Sequence, residues 1–210
     1  VDLLRKKGQK VSAARSGNAT SEGLVSIAVS ADGTNGKLVA LACETEPVSK
    51  VEDFRNLAQA VLAAAVANNP ANAEELSAIT LEDGRTVAET ITELTGKIGE
   101  KIVIQEYANV TGEKIVSYVH SNGKMGVLVV FAGANGADIT EAGKDVAMQI
   151  AAMSPVAVDK DGVDPATIER EIEIAKDVIR QEGKPEEMVE KIAAGKLNKF
   201  YKDNTLLNQE

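Results

Sequence analysis

One order of patterns occurs twice in this chain and narrows the folds open to it. Apolar residues alternate at Leu24, Val25, Ile27 and Val29. A polar turn, Asp32-Gly33-Thr34-Asn35-Gly36, follows, and alternation resumes at Leu38, Val39 and Leu41. A helical period then runs from Glu52 to Ala67 through Phe54, Leu57, Val61 and Leu62. About 90 residues on, the order returns: Ile115 to His120, the turn Ser121-Asn122-Gly123, Val127 to Phe131, and a helix over 140–152. Leu24-Val25-Ser26 answers Ile115-Val116-Ser117. A solenoid needs at least three copies, so the pattern predicts an α+β fold of two related halves, each an antiparallel hairpin or small sheet packed with helices.

Other segments fill in around the halves. Residues 2–7 read as the last turns of a helix closed by Gly8, and residues 9–22, small and polar, as a linker. A short helix is expected over 73–80 and another from Thr86 to Thr95, stopped by Gly96 and Gly99. Ile102-Val103-Ile104 is expected to open the second half. Asp164-Pro165 caps and starts a helix over 165–182, because Pro at the first helical position gives up no hydrogen bond. After Gly183-Lys184-Pro185 a further helix runs to about Tyr201, and so short a turn requires a protruding antiparallel helical hairpin. The expected division is therefore 1–8, 9–22, 23–100, 101–160, 161–202 and a tail, 203–210.

Charge and composition remove whole classes of function. The 210 residues carry 23 Lys and Arg against 32 Asp and Glu, a net −9, and the local +4 of residues 1–20 leaves −13 on the rest. A duplex binder needs a basic face to displace counterions, and a single-strand binder needs aromatic platforms. Neither is available with no Trp and only three Phe and three Tyr, so direct nucleic-acid binding through residues 1–20 ranks last. No apolar run is long enough to span a membrane. Cys43 and His120 are the only members of their types, which excludes an internal disulfide and a His/Cys zinc cluster, and points to a reducing cytoplasm.

Phosphate-loop, dinucleotide, nucleophile-elbow and zincin motifs are absent. Cys43 with His120 is the best nucleophile–base pair on offer, set against the plainer reading of Cys43 as a small buried hydrophobe and His120 as an exposed tip residue. The segment that stands out is Cys43-Glu44-Thr45-Glu46-Pro47-Val48-Ser49-Lys50-Val51-Glu52-Asp53-Phe54, which passes from a strand into the long helix, a usual place for a binding element on a rigid scaffold.

This segment resembles, without gaps, the C-E-T-D-F-V-A-[KR]-x-x-x-F signature of the elongation factor Ts family, the guanine-nucleotide exchange factors of elongation factor Tu. Further likenesses are Leu3-Leu4-Arg5-Lys6-Lys7-Gly8, Lys97-Ile98-Gly99-Glu100, His120 with Gly126-Val127-Leu128-Val129, Ala147-Met148-Gln149-Ile150-Ala151-Ala152, and Gly183-Lys184-Pro185 through Phe200. The resemblance implies a translation factor that binds elongation factor Tu and promotes GDP release by disturbing its magnesium and phosphate site. It implies no covalent chemistry, no cofactor and no metal, and leaves open a homodimer of the complex. Its implied contacts are the tetrad Thr45-Glu46-Pro47-Val48, the turn Ile98-Gly99, and His120.

Two departures matter. The tetrad's acid is one methylene longer at Glu46, and Pro47 stands where the family has a wedging Phe; the missing volume corresponds to ~1–3 kcal/mol of contact. Pro47 therefore keeps open a second reading, a scaffold that holds elongation factor Tu or another partner without driving exchange. The chain also starts at Val1 without Met, and the resemblance implies a piece lacking most of an N-terminal ubiquitin-associated-like domain and the C-terminal end.

Overall fold

A computed structural model describes residues 2–209; Val1, at the head of the expected 1–8 segment, and Glu210, at the end of the expected tail, lie outside the described residues. The chain divides into two compact units, Val1–Ala151 and Ala152–Glu210.

The first unit contains helix α1 (Asp2–Ala14), strands β1 (Glu22–Val29) and β2 (Asn35–Cys43), a one-turn helix α2 (Glu46–Ser49), and helices α3 (Glu52–Asn68), α4 (Ala73–Ala78) and α5 (Val87–Ile98). Strands β3 (Ile102–Thr111), β4 (Lys114–Val119) and β5 (Gly126–Phe131) follow, and then helix α6 (Thr140–Met153), which runs two residues past the end of this unit. The expected hairpins are β1–β2 and β4–β5, both antiparallel.

β3 differs from expectation. It does not open the second half but pairs with β2, giving one sheet in the order β1-β2-β3 and a separate two-stranded sheet. The reason lies in β2, which is apolar on both faces and fills both edges. Val39, Leu41 and Cys43 point into a core with Phe54, Leu57, Ala58, Val61 and Ala65 of α3. Leu38, on the opposite face, meets the second hairpin together with Val25 and Ile27, the side chains nearest Gly126. A strand buried this way is stable only in the middle of a sheet. Pairing also joins the hairpins: Val25 N–H donates to Gly123 O (2.7 Å) and Ile115 N–H to Gly33 O (2.7 Å).

Gly8 corrects a second expectation. The first helix does not close there but continues to Ala14, so residues 9–14 of the expected linker are helical. Gly8 is buried against α5, where an added Cβ would lie 2.1 Å from the Thr92 carbonyl oxygen. It is a close-approach glycine rather than a stop. Gly96 likewise does not stop α5, which is capped at its start by a reciprocal Thr86–Glu89 box and ends at Gly99.

The second unit holds α7 (Pro165–Gln181) and α8 (Glu186–Asn204), which pack through Ala175, Ile179, Val189 and Ala193. The Asp164 carboxylate accepts from Ala166 N–H (3.1 Å), as the Asp-Pro pair predicted. The segment expected as a polar tail is anchored instead: α8 runs to Asn204, and Thr205 is buried and bridges to Ala157.

Candidate functional site

The Cys43–Phe54 segment leaves β2 at its last paired residue and turns once as α2 before α3 begins. Pro47 occupies the first turn of α2, where a missing N–H costs nothing. The turn has two sides. Thr45, Glu46 and Pro47 are exposed, whereas Val48 is 8% exposed and belongs to the core cluster that contains Phe54. Glu46 pairs with Lys50 one turn on (2.9 Å). That hydrogen bond first, then the charges of Lys50 and Lys124, hold its carboxyl below the usual range, so the exposed side carries an ion pair.

The end of α5 is fastened beside this turn. Gly99 closes the helix with φ 88°, a left-handed conformation that glycine adopts freely. The next residue reaches across: Glu100 accepts from Thr45 N–H (3.1 Å) with one carboxylate oxygen and from the Thr45 hydroxyl (2.7 Å) with the other. In the opposite direction, Glu44 accepts from Lys101 N–H (2.7 Å) and from Arg15 and Asn18. The Lys101 bond leads the interactions that hold the Glu44 carboxyl below its usual range. Lys97 adds a surface ion pair to Asp53 at the start of α3 (2.5 Å).

His120 arrives from the second hairpin. It is exposed at the β4–β5 tip, with Nδ1 2.9 Å from the Tyr118 hydroxyl and its N–H donating to Met125 O (2.9 Å). The tip is docked on β1 by the Val25–Gly123 bond and by Lys124, whose Nζ lies 2.5 Å from Glu22 Oε2. Glu22 faces Cys43 in the β1–β2 register. The structure thus brings the tetrad, Ile98-Gly99 and the His120 tip to one end of the first sheet, and joins the first two directly through Thr45 and Glu100.

Cys43 and His120 do not form a pair. Cys43 is fully buried, its thiol donates to Thr45 O (3.3 Å), and His120 turns to Tyr118. Burial, then the nearby Glu100 and Glu22 carboxylates, push the Cys43 thiol up to about 11. A thiolate is the reactive form, so this cysteine is expected to resist a charged disulfide reagent until the chain unfolds. The sign of its pH effect follows. Between about pH 9 and 11 the unfolded thiol has lost its proton and the folded one has not, so stability falls as pH rises through that window. Urea unfolding is expected to show the parent chain losing about 2–3 kcal/mol relative to Cys43→Ala over that range.

A family model described as elongation factor TS matches residues 44–210. The chain is 69% identical to the elongation factor Ts of Cytophaga hutchinsonii over 210 residues, covering all of this chain and 76% of that protein. It is 50% identical to that of Amoebophilus asiaticus, covering 75% of it, and 47% identical to that of Flavobacterium psychrophilum, again covering 75%. The chain belongs to the elongation factor Ts family. As an elongation factor Ts homologue it is a translation elongation factor with the family's α+β core.

The elongation factor Ts signature led to the tetrad, Ile98-Gly99 and His120 but gave no role to the residues that hold them. Glu44 and Glu100 stand inside quoted motifs, yet the side-chain bonds that make them matter cross 57 and 55 residues of sequence. Lys124, which docks the tip, lies in a hairpin turn where a lysine signals only solvent exposure. Among the described residues, no helix is long and apolar enough to cross a membrane.

Proposed function

We propose that this chain binds elongation factor Tu and promotes GDP release, acting as a nucleotide exchange factor in the cytoplasm and breaking no covalent bond. The observation that supports this most is the exposed Thr45-Glu46-Pro47 side of α2, fixed by the core beneath it and by Glu100 beside Ile98-Gly99. In this reading Val48 is the anchor that seats the turn, while Glu46, Pro47, Ile98, Gly99 and His120 face the partner near its magnesium and phosphate site. Pro47 lacks the reach of the family Phe, but its ring locks the backbone of a turn already closed by Glu46–Lys50. A rigid contact loses less conformational entropy on binding.

The coupling is reciprocal. A factor that binds the nucleotide-free partner more tightly than the GDP form must weaken GDP binding by the same ratio. A 10⁴-fold faster release needs about 5.5 kcal/mol of contact made only as nucleotide leaves. The test is release of a fluorescent GDP analogue from elongation factor Tu with and without the chain. Acceleration is expected, with Pro47→Gly about tenfold slower at saturation because the turn loses its rigidity and its apolar contact. If release stays at its intrinsic rate while the complex still forms, Pro47 marks a scaffold that does not drive exchange; recovery by Pro47→Phe then identifies the missing contact.

A further inference from the structure

The β2–β3 ladder ends at the pair Cys43 and Ile102, yet the two strands do not separate there. Continued by two residues, the register sets Glu44 opposite Lys101 and Thr45 opposite Glu100, and each pair is closed by a carboxylate on the backbone across from it. Side chains have taken over from main-chain carbonyls. The two carboxylates are used differently. Glu44 shares its oxygens among Lys101, Arg15 and Asn18, which ties down the turn after α1, and Lys101 Nζ completes that tie by donating to Ser16 O (2.7 Å) and Asn18 O (3.1 Å). Glu100 places both oxygens on Thr45 and takes no ion pair among the described residues.

From this we infer that Glu100 and Thr45 are positioning residues, a latch that sets the distance and angle between the α2 turn and the Ile98-Gly99 turn. The Thr45 hydroxyl proton is engaged inside the chain. Glu100 directly follows Gly99 and Thr45 directly precedes Glu46, so the α2 turn cannot rotate against the end of α5 without breaking two hydrogen bonds. The inference rests on the exchange reading above, in which the α2 turn and the Ile98-Gly99 turn face the partner together.

The experiment is saturation kinetics of fluorescent GDP release from elongation factor Tu, driven by the parent chain, Glu100→Ala, Thr45→Val, their double variant and Thr45→Ser. Each single variant is expected to lower the maximal release rate about tenfold while changing the half-saturating concentration less than about threefold, because misplacement penalises the transition state rather than encounter. The double variant is expected to be no slower than either single one, the mark of two groups acting as one unit. Thr45→Ser keeps both donors and is expected to recover most of the rate. Thermal unfolding of each variant separates a loss of folded protein, which lowers the effective concentration, from a loss of rate at saturation. Full rates in both Glu100→Ala and Thr45→Val overturn the latch and leave exchange standing. A slow Thr45→Val beside a full-rate Glu100→Ala also overturns it, in favour of a direct partner contact by Thr45. A parent chain that leaves release at its intrinsic rate overturns the exchange reading, and the positioning role with it.

Discussion

Phe54→Ala is expected to destabilise the first unit by about 3–5 kcal/mol. Phe54 is the largest of the fully buried side chains and has no exposed surface, set in the first turn of α3 against β2. Its removal deletes the apolar area of a whole ring and leaves a void that rigid neighbours on a sheet and a helix cannot close. For a chain of this size each kcal/mol lowers the melting temperature by about 2–4 °C, so calorimetry is expected to show a fall of about 6–20 °C. Phe54→Leu, which fills most of the space, is expected to recover more than half of that. The same residue floors the α2 turn through Val48, so partner binding is expected to weaken in parallel with stability. A drop of under about 1 kcal/mol in Phe54→Ala contradicts this account of the core.

Lys37→Ala is expected to cost about 2–4 kcal/mol, although a lysine in a strand ordinarily tolerates replacement. Lys37 is only 3% exposed. Its ammonium has no carboxylate partner among the described residues and donates to three amide oxygens, those of Asn35 (2.6 Å), Asn69 (2.7 Å) and Asn109 (3.3 Å). Asn69 sits in the left-handed position that ends α3, so the lysine pins a helix terminus to two strands. The Ala variant loses the packed stem and strands the Asn35 oxygen at once. Lys37→Met separates these losses, since it keeps the stem and removes the charge; it is expected to cost less than Ala and more than nothing. Burial lowers the Lys37 pKa, so near the lysine range the folded state gives up its proton first. Stability therefore gains with rising pH from Lys37, opposite in sign to the loss from Cys43. Urea unfolding of parent and Met variant across that range is expected to show the gain only in the parent.

Local patterns made most elements of this fold legible. Both hairpins announced themselves by alternation around Asp-Gly and Asn-Gly turns, α3 by its helical period, and α7 by Asp164-Pro165. What escaped depends on a partner distant in sequence. Gly8 reads as a helix end until Thr92 is seen against it, and Ile102–Ile104 reads as the start of something new until β2 is seen to need a second neighbour. Nothing near Lys37 in sequence signals the three asparagines that converge on it. At the candidate site the resemblance supplied the residues proposed as contacts, since a motif records which side chains recur. Exposure had to come from the fold, which turns Val48 inward and Pro47 outward along one short helix.

The crossing of β2 with β3 has a kinetic consequence. The hairpins are local and close within microseconds, but Cys43 meets Ile102 only after a loop of roughly 60 residues has been drawn shut, at an entropic cost of about 3–4 kcal/mol. That loop contains α2 and α5, so the α2 turn and the Ile98-Gly99 turn are expected to become neighbours late in folding, which stopped-flow refolding of a probe placed at each turn would time. Until β3 is seated on β2, the surface proposed to face elongation factor Tu exists only as two separate parts.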